Sequence, residues 1–124
     1  MAKTSPTART LALLREQGWD VENRQTWLPR AKRFRDAWGF ADLEAMHPAS
    51  PGVLLVQVTT GTNHAARKRK ILAEPRARLA LQCRNRIQVI SWRLWHRGRP
   101  RPRWEPRVEE LTLADFPAAE GTGT

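Results

Sequence analysis

"FADLEAMHPASPGVLLVQVTTGTNHAARKRK", residues 40–70, is the stretch whose reading decides how this chain folds. Two strand-length apolar runs, separated by a short turn, are followed by a strongly basic helical segment. FADLEAM (40–46) reads as a strand, HPASPG as a turn, and VLLVQVTT (53–60) as the most apolar strand of the chain, central in a sheet and covered on both faces. Successive side chains of a strand point to opposite faces. Phe40, Asp42, Glu44 and Met46 therefore share one face of the first strand, and Val53, Leu55, Gln57 and Thr59 one face of the second. Paired as a hairpin, the two strands bring Asp42 and Gln57 together at one end. Gly61 with Thr62 or Asn63 then starts a helix, NHAARKRKILAE, which Pro75 limits.

Upstream, residues 5–18 read as a helix. Ser5 caps it, Pro6 suits its first turn, Gly18 ends it, and Ala8, Leu11, Ala12 and Leu14 form its apolar stripe. The period then changes: Trp19, Val21, Asn23, Gln25 and Trp27 alternate with Asp20, Glu22, Arg24 and Thr26, the pattern of one half-buried strand. LPRAKRFRDAWG follows as a basic loop. Downstream, ARLALQC (77–83) is open to either a short strand or a helix extension, RIQVISWRLW (86–95) is a clear strand, and WEPRVEEL (104–111) is a further strand beyond the Pro/Arg loop HRGRPRPR. The order of elements predicts an α/β fold with a mixed central sheet of about four to five strands flanked by helices. It is expected to form a single domain over residues 1–116, with a disordered tail at 117–124.

The chain has 124 residues, of which 40% are hydrophobic and six are Trp, enough for one domain with a modest core. Its formal charge of +10 and pI near 11.5 point first to a polyanionic partner. No long apolar span or basic amphipathic helix argues for a membrane, and MAKTSPTART lacks the apolar core of a signal peptide. The lone Cys83 excludes an internal disulfide framework and a cysteine zinc site, and reads as a small, partly buried hydrophobe. A cytoplasmic protein is expected. The cations fall into four clusters: Arg30, Lys32, Arg33 and Arg35; Arg67, Lys68, Arg69 and Lys70; Arg84 with Arg86; and Arg97, Arg99, Arg101 and Arg103. One cluster would read as a solvated face. Four in so short a chain point to nucleic acid. Prolines keep RGRPRPRW extended, fit to lie along a backbone or in a minor groove, and Trp38 and Trp104 beside the basic loops are placed to stack on a base.

An ionised Asp42 and the Gln57 carbonyl are both oxygen donors, the kind that Mg²⁺ takes. On WGFADLEAM, LLVQVTT and the order of elements, residues 5–95 resemble the PD-(D/E)xK nuclease superfamily, in which a helix precedes a hairpin bearing an Asp and a (D/E)-x-K, and a basic helix follows. The resemblance implies a three-layer, restriction-endonuclease-type core. Asp42 stands at the place of the metal-binding Asp. Gln57 stands at the place of the second acid, where Mrr-type enzymes also carry Gln. Thr59 replaces the Lys and offers a hydroxyl to position water. Lys68 and Lys70 on the following helix are the candidates to supply the amine, and Glu44 is the candidate third metal ligand. Asp36 is a spare carboxylate. His64, at the helix start, is placed either to bind phosphate or to act as a base.

The resemblance thus implies a Mg²⁺- or Mn²⁺-dependent DNA endonuclease similar to resolvase-like and VRR-type nucleases, often encoded in phages and mobile elements and typically working as homodimers. Two alternatives stand beside it: a nuclease-fold module that binds DNA or RNA after its catalytic set has decayed, and a basic interaction or assembly subunit. No spacing in the sequence argues for a Ser/His/Asp arrangement.

Overall fold

The computed structural model describes residues 4–117. In chain order the elements are α1 (Pro6–Glu16), β1 (Asp20–Asn23), β2 (Thr26–Leu28), β3 (Arg33–Arg35), β4 (Leu43–His47), β5 (Ser50–Thr60), a 3₁₀ turn (Gly61–Asn63), α2 (His64–Leu72), α3 (Pro75–Gln82), β6 (Arg86–Trp95), β7 (Arg103–Leu111) and a second 3₁₀ turn (Leu113–Asp115). The expected tail beyond Pro117 lies outside the described residues. Among those described, no helix is long and apolar enough to cross a membrane.

Five strands form one mixed sheet in the order β1-β4-β5-β6-β7. All neighbours are antiparallel except β5 and β6, which run parallel from Leu54↔Arg86 to Thr60↔Trp92. A parallel pair needs a crossover, and α2 and α3 supply it. The apolar run of β5 is explained by its place: it is central and covered on both faces. Leu54, Val56 and Val58 pack with Leu14 of α1, whereas Leu55 packs with Ile71 of α2 and Ala77 of α3. Helices thus cover both faces of a mixed sheet, the α/β class that the sequence predicts.

Several local expectations are corrected. The 19–27 alternation is not one strand. The Asn23 side chain accepts the Gln25 N–H at 2.8 Å, ending β1, and Thr26–Leu28 pairs instead with Arg33–Arg35 in a separate two-stranded hairpin. Trp27 consequently lies in solvent, and the supposed basic loop carries a strand. FADLEAM is strand only from Leu43, because Phe40–Asp42 lies in the turn bridged at Ala37↔Ala41. Residues 77–82 are helix: Glu74 caps that segment by accepting the Arg76 N–H, and Pro75 fits its first turn. Cys83 is exposed at the end of this helix, not partly buried.

Ser5 caps α1 as expected, accepting the Ala8 N–H at 3.1 Å, but its buried positions are Thr10 and Leu14, with Ala8 and Ala12 in solvent. Thr10 makes that polar burial tolerable. Its hydroxyl donates to the Pro6 carbonyl at 2.8 Å and accepts the indole N–H of buried Trp92 at 2.8 Å, pinning α1 to β6. Replacing Thr10 by the isosteric Val leaves that indole N–H buried without a partner. Thr10→Val should lower stability by about 1–3 kcal/mol, read as a lower urea midpoint at unchanged m-value.

Candidate functional site

β4 runs antiparallel to β5, and β6 parallel to it, so the start of β4 lies at the same end of the sheet as the ends of β5 and β6. The expected centre stands there. Asp42 and Gln57 are each 3% exposed, and the Gln57 side-chain nitrogen donates to Asp42 Oδ2 at 2.8 Å. The Val58 N–H donates to the same oxygen at 2.8 Å, and the Gln25 side-chain nitrogen donates to Asp42 Oδ1 at 3.1 Å and to Asp36 Oδ1 at 3.2 Å. Burial, and next a hydrogen bond shared with Asp36, push the Asp42 carboxyl up to about 7, against the opposing pull of the Val58 N–H and the Arg67 charge. Asp36 and Gln25 are thus part of the centre. The sequence marked Asp36 only as a spare carboxylate and placed Gln25 on the apolar face of a strand.

The remaining expected members fall elsewhere. Glu44 is engaged by Arg24 instead, accepting its guanidinium at 3.0 Å. Lys68 donates to Glu109 at 2.7 Å, across the sheet from Asp42, and Lys70 is exposed on the outer side of α2. The helix-borne cation that Asp42 feels is Arg67. Thr59 is buried beside Ser91, on the sheet face of Gln57. His64 is only 2% exposed: its Nδ1 lies 2.6 Å from the Ser91 hydroxyl and its Nε2 2.9 Å from Glu109.

Ser91, His64 and Glu109 thereby form a Ser–His–acid row that no spacing foretold, because its members come from β6, α2 and β7. Ser91 is 1% exposed, at the wall of the groove bordered by the end of β6, and the row braces α2 against the sheet. Lys68, and then His64, hold the Glu109 carboxyl below its ordinary range.

Fitness for Mg²⁺ or Mn²⁺ turns on the donor set. Hard cations take carboxylate and amide oxygens, and Asp42, Asp36 and Gln57 supply both kinds. The Gln57 side-chain oxygen is buried and finds no partner among the described residues, while its amide nitrogen touches Asp42. Turning that amide over would set oxygen against carboxylate, an arrangement a cation would favour. No three His, Cys, Asp or Glu side chains among the described residues form a group able to hold a metal. The donors are of the kind a hard cation takes, with Asp36 rather than Glu44 beside Asp42, and the Gln57 oxygen would join them only with that amide turned over.

Two basic arms flank this centre. Asn23 pairs with Leu43, so the chain leaves β1 at this same end and enters the β2–β3 hairpin with Arg30, Lys32, Arg33 and Arg35. Beyond the other side of β5, β6 continues past the last β5 partner, Trp92, to Trp95 before turning into β7. That extension borders a groove of about 790 Å³ whose lining includes Thr60, Gly61, Arg93, Arg97, Trp104 and Arg107. Arg97 and Arg99 are paired with Glu105 at 2.6 and 3.1 Å, whereas Arg101 and Arg103 are exposed and in no salt bridge among the described residues. On α2, Arg69 and Lys70 are exposed as well.

A carboxyl whose folded-state pKa is raised costs the fold stability as it ionises. Wild type should therefore lose stability relative to Asp42→Asn as pH rises from about 4 to about 7, by on the order of 2–4 kcal/mol, with a plateau above. Paired melting curves across this range measure it, and a pH-independent difference would contradict the buried carboxyl. Comparison of the chain with protein families, with curated proteins and with solved structures finds no match.

Proposed function

We propose that this protein binds nucleic acid, DNA in the first instance, across the end of its sheet, on a core of the PD-(D/E)xK nuclease type. The observation that carries the reading is the common placement of two basic arms, residues 26–35 and 96–103, at the sheet end that also holds Asp42, Gln57 and Thr59. A polyanion lying across that end meets cations on both sides of the carboxyl centre. The order α1, then the β4–β5 hairpin with Asp42 and Gln57, then basic α2, agrees with the order of elements in that superfamily and supports the choice of core.

Metal-dependent cleavage of the phosphodiester backbone is the second reading, favoured by the unpartnered Gln57 oxygen beside the paired carboxyls. A bound divalent ion would supply Lewis-acid polarisation of a phosphate and a more acidic water. In this reading Asp42, Asp36 and Gln57 hold the ion, the Thr59 hydroxyl positions water, and Arg67 supplies the cation in place of Lys68 or Lys70.

Binding should be steeply salt-dependent, log K falling linearly with log salt by about 0.9 per phosphate contacted. The Arg101→Ser/Arg103→Ser variant should lower that slope by about two while binding persists. A purified protein that binds neither DNA nor RNA at low salt would defeat the proposal and leave the basic interaction subunit. Cleavage is tested separately with supercoiled, linear and four-way-junction DNA in Mn²⁺. The second reading expects nicking or cutting that Asp42→Ala abolishes, and an inert wild type, or activity unchanged in Asp42→Ala, removes it.

A further inference from the structure

The β2–β3 hairpin stands apart from the main sheet and presents an unusual surface. Its cross-strand pair Trp27↔Phe34 lies in solvent, 50% and 56% exposed, with ring centroids 5.1 Å apart and planes at 62°. Residues 26–35 carry Arg30, Lys32, Arg33 and Arg35 and no acid. None of these four cations is in a salt bridge among the described residues. The opposite arm differs. There Arg93 and Arg9 already lie over Trp95 and Trp104, at 4.0 and 4.9 Å from the ring centroids, and Arg97 and Arg99 share the Glu105 carboxylate.

A two-stranded hairpin is marginal by itself in water, but this one is fixed at both feet. Gln25, just before β2, donates to Asp36, just after β3, and both are joined to buried Asp42 through the Gln25 amide. The backbone adds a further tie, the Arg24 N–H donating to the Asp42 carbonyl at 2.8 Å. The aromatic pair is thus held out on a short, anchored ribbon.

Arg33 and Arg35 lie on the ribbon face opposite the rings and Arg30 and Lys32 in the turn, so an apolar partner over the two rings would border unpaired cations, which are costly to desolvate. Duplex DNA would satisfy the cations but keeps the faces of its bases stacked within the helix. An unpaired strand offers phosphates to the cations and free base faces to the rings. From this charge and ring complementarity we infer that the 26–35 hairpin is a grip for single-stranded nucleic acid, with Trp27 and Phe34 stacking on bases and Arg30, Lys32, Arg33 and Arg35 holding phosphates. The inference rests on the nucleic-acid reading above and narrows it to unpaired segments, such as those at junctions, flaps or single-stranded ends.

Fluorescence anisotropy with labelled oligo-dT, oligo-rU and a duplex of equal length, at fixed salt, tests it on the full chain. Trp27→Ala/Phe34→Ala should weaken oligo-dT binding about ten- to a hundredfold, from the loss of base stacking, and duplex binding less than about threefold. Trp27→Phe should retain most of the single-strand affinity. Arg33→Ser/Arg35→Ser should weaken single strand and duplex alike and lower the salt slope by about two. Both ring positions are exposed, and melting curves confirm that the variants fold. Comparing oligo-dT with oligo-rU tells DNA from RNA, either being consistent with a stacking grip. Equal losses on single strand and duplex in Trp27→Ala/Phe34→Ala, or no loss on either, overturn the grip while leaving the wider nucleic-acid reading intact. Absence of binding to all three probes overturns both.

Discussion

The Val58 N–H donating to the Asp42 carboxylate at 2.8 Å is the contact around which this structure is organised. β4 begins only at Leu43, so beyond that point the side chain of Asp42 stands in for a strand partner to β5. The same residue takes part through its backbone as well: its N–H donates to Val56 and its carbonyl accepts from Arg24, while Gln57 and Gln25 close on the carboxyl. One side chain thus joins the central strand, the strand beside it and the feet of the β2–β3 hairpin. A buried carboxyl costs the fold unless it is hydrogen-bonded or neutralised. Here the amide donors and the upward shift of its pKa keep that cost tolerable. Perturbed titratable groups of this kind cluster at functional sites, and structural hydrogen-bond networks produce them as well.

The two faces of the sheet are built differently. The face under α1 is apolar at Leu54, Val56, Val58, Ile90 and Trp92, with Arg86 and Gln88 on the same face at the start of β6, both bonded to Glu110. The opposite face is apolar only beneath α3, at Leu55, Ile87 and Val89, and becomes polar toward the ends of β5 and β6, where Gln57, Thr59, His64 and Ser91 are buried. That gradient gives α2 two different anchors, Ile71 in the core and His64 in a hydrogen-bonded row with Ser91 and Glu109. Lys68 joins the row at Glu109, which is why it is absent from the neighbourhood of Asp42.

The formal charge of +10 overstates the free cationic surface. Arg86 is tied to Glu110, and Arg97 and Arg99 to Glu105. The exposed cations in no salt bridge among the described residues include the four of the β2–β3 hairpin, Arg101 and Arg103, and Arg69 and Lys70 on α2, with Arg15, Arg84 and Arg93 more scattered. Exposed ion pairs contribute little stability, so the carboxylates of β7 do more to shape where positive charge remains than to hold the fold.

Much of this was legible along the chain. The apolar run 53–60 dictated a central strand, Ser5 and Pro6 the start of the first helix, and the alternation around Asp42 and Gln57 their meeting at one end of a hairpin, because side-chain period and turn chemistry act within a few residues. The four basic clusters also followed directly from the order of residues. Tertiary structure alone decided what depends on partners distant in sequence. Asn23 broke the expected first strand, and pairing with Arg33–Arg35 drew Trp27 out of the core. Asp36 and Gln25 came to Asp42, while Glu44 turned to Arg24 and Lys68 to Glu109. The side-chain period set which face a residue occupies. Which neighbour it meets there was set by the register of strands that the sequence holds far apart.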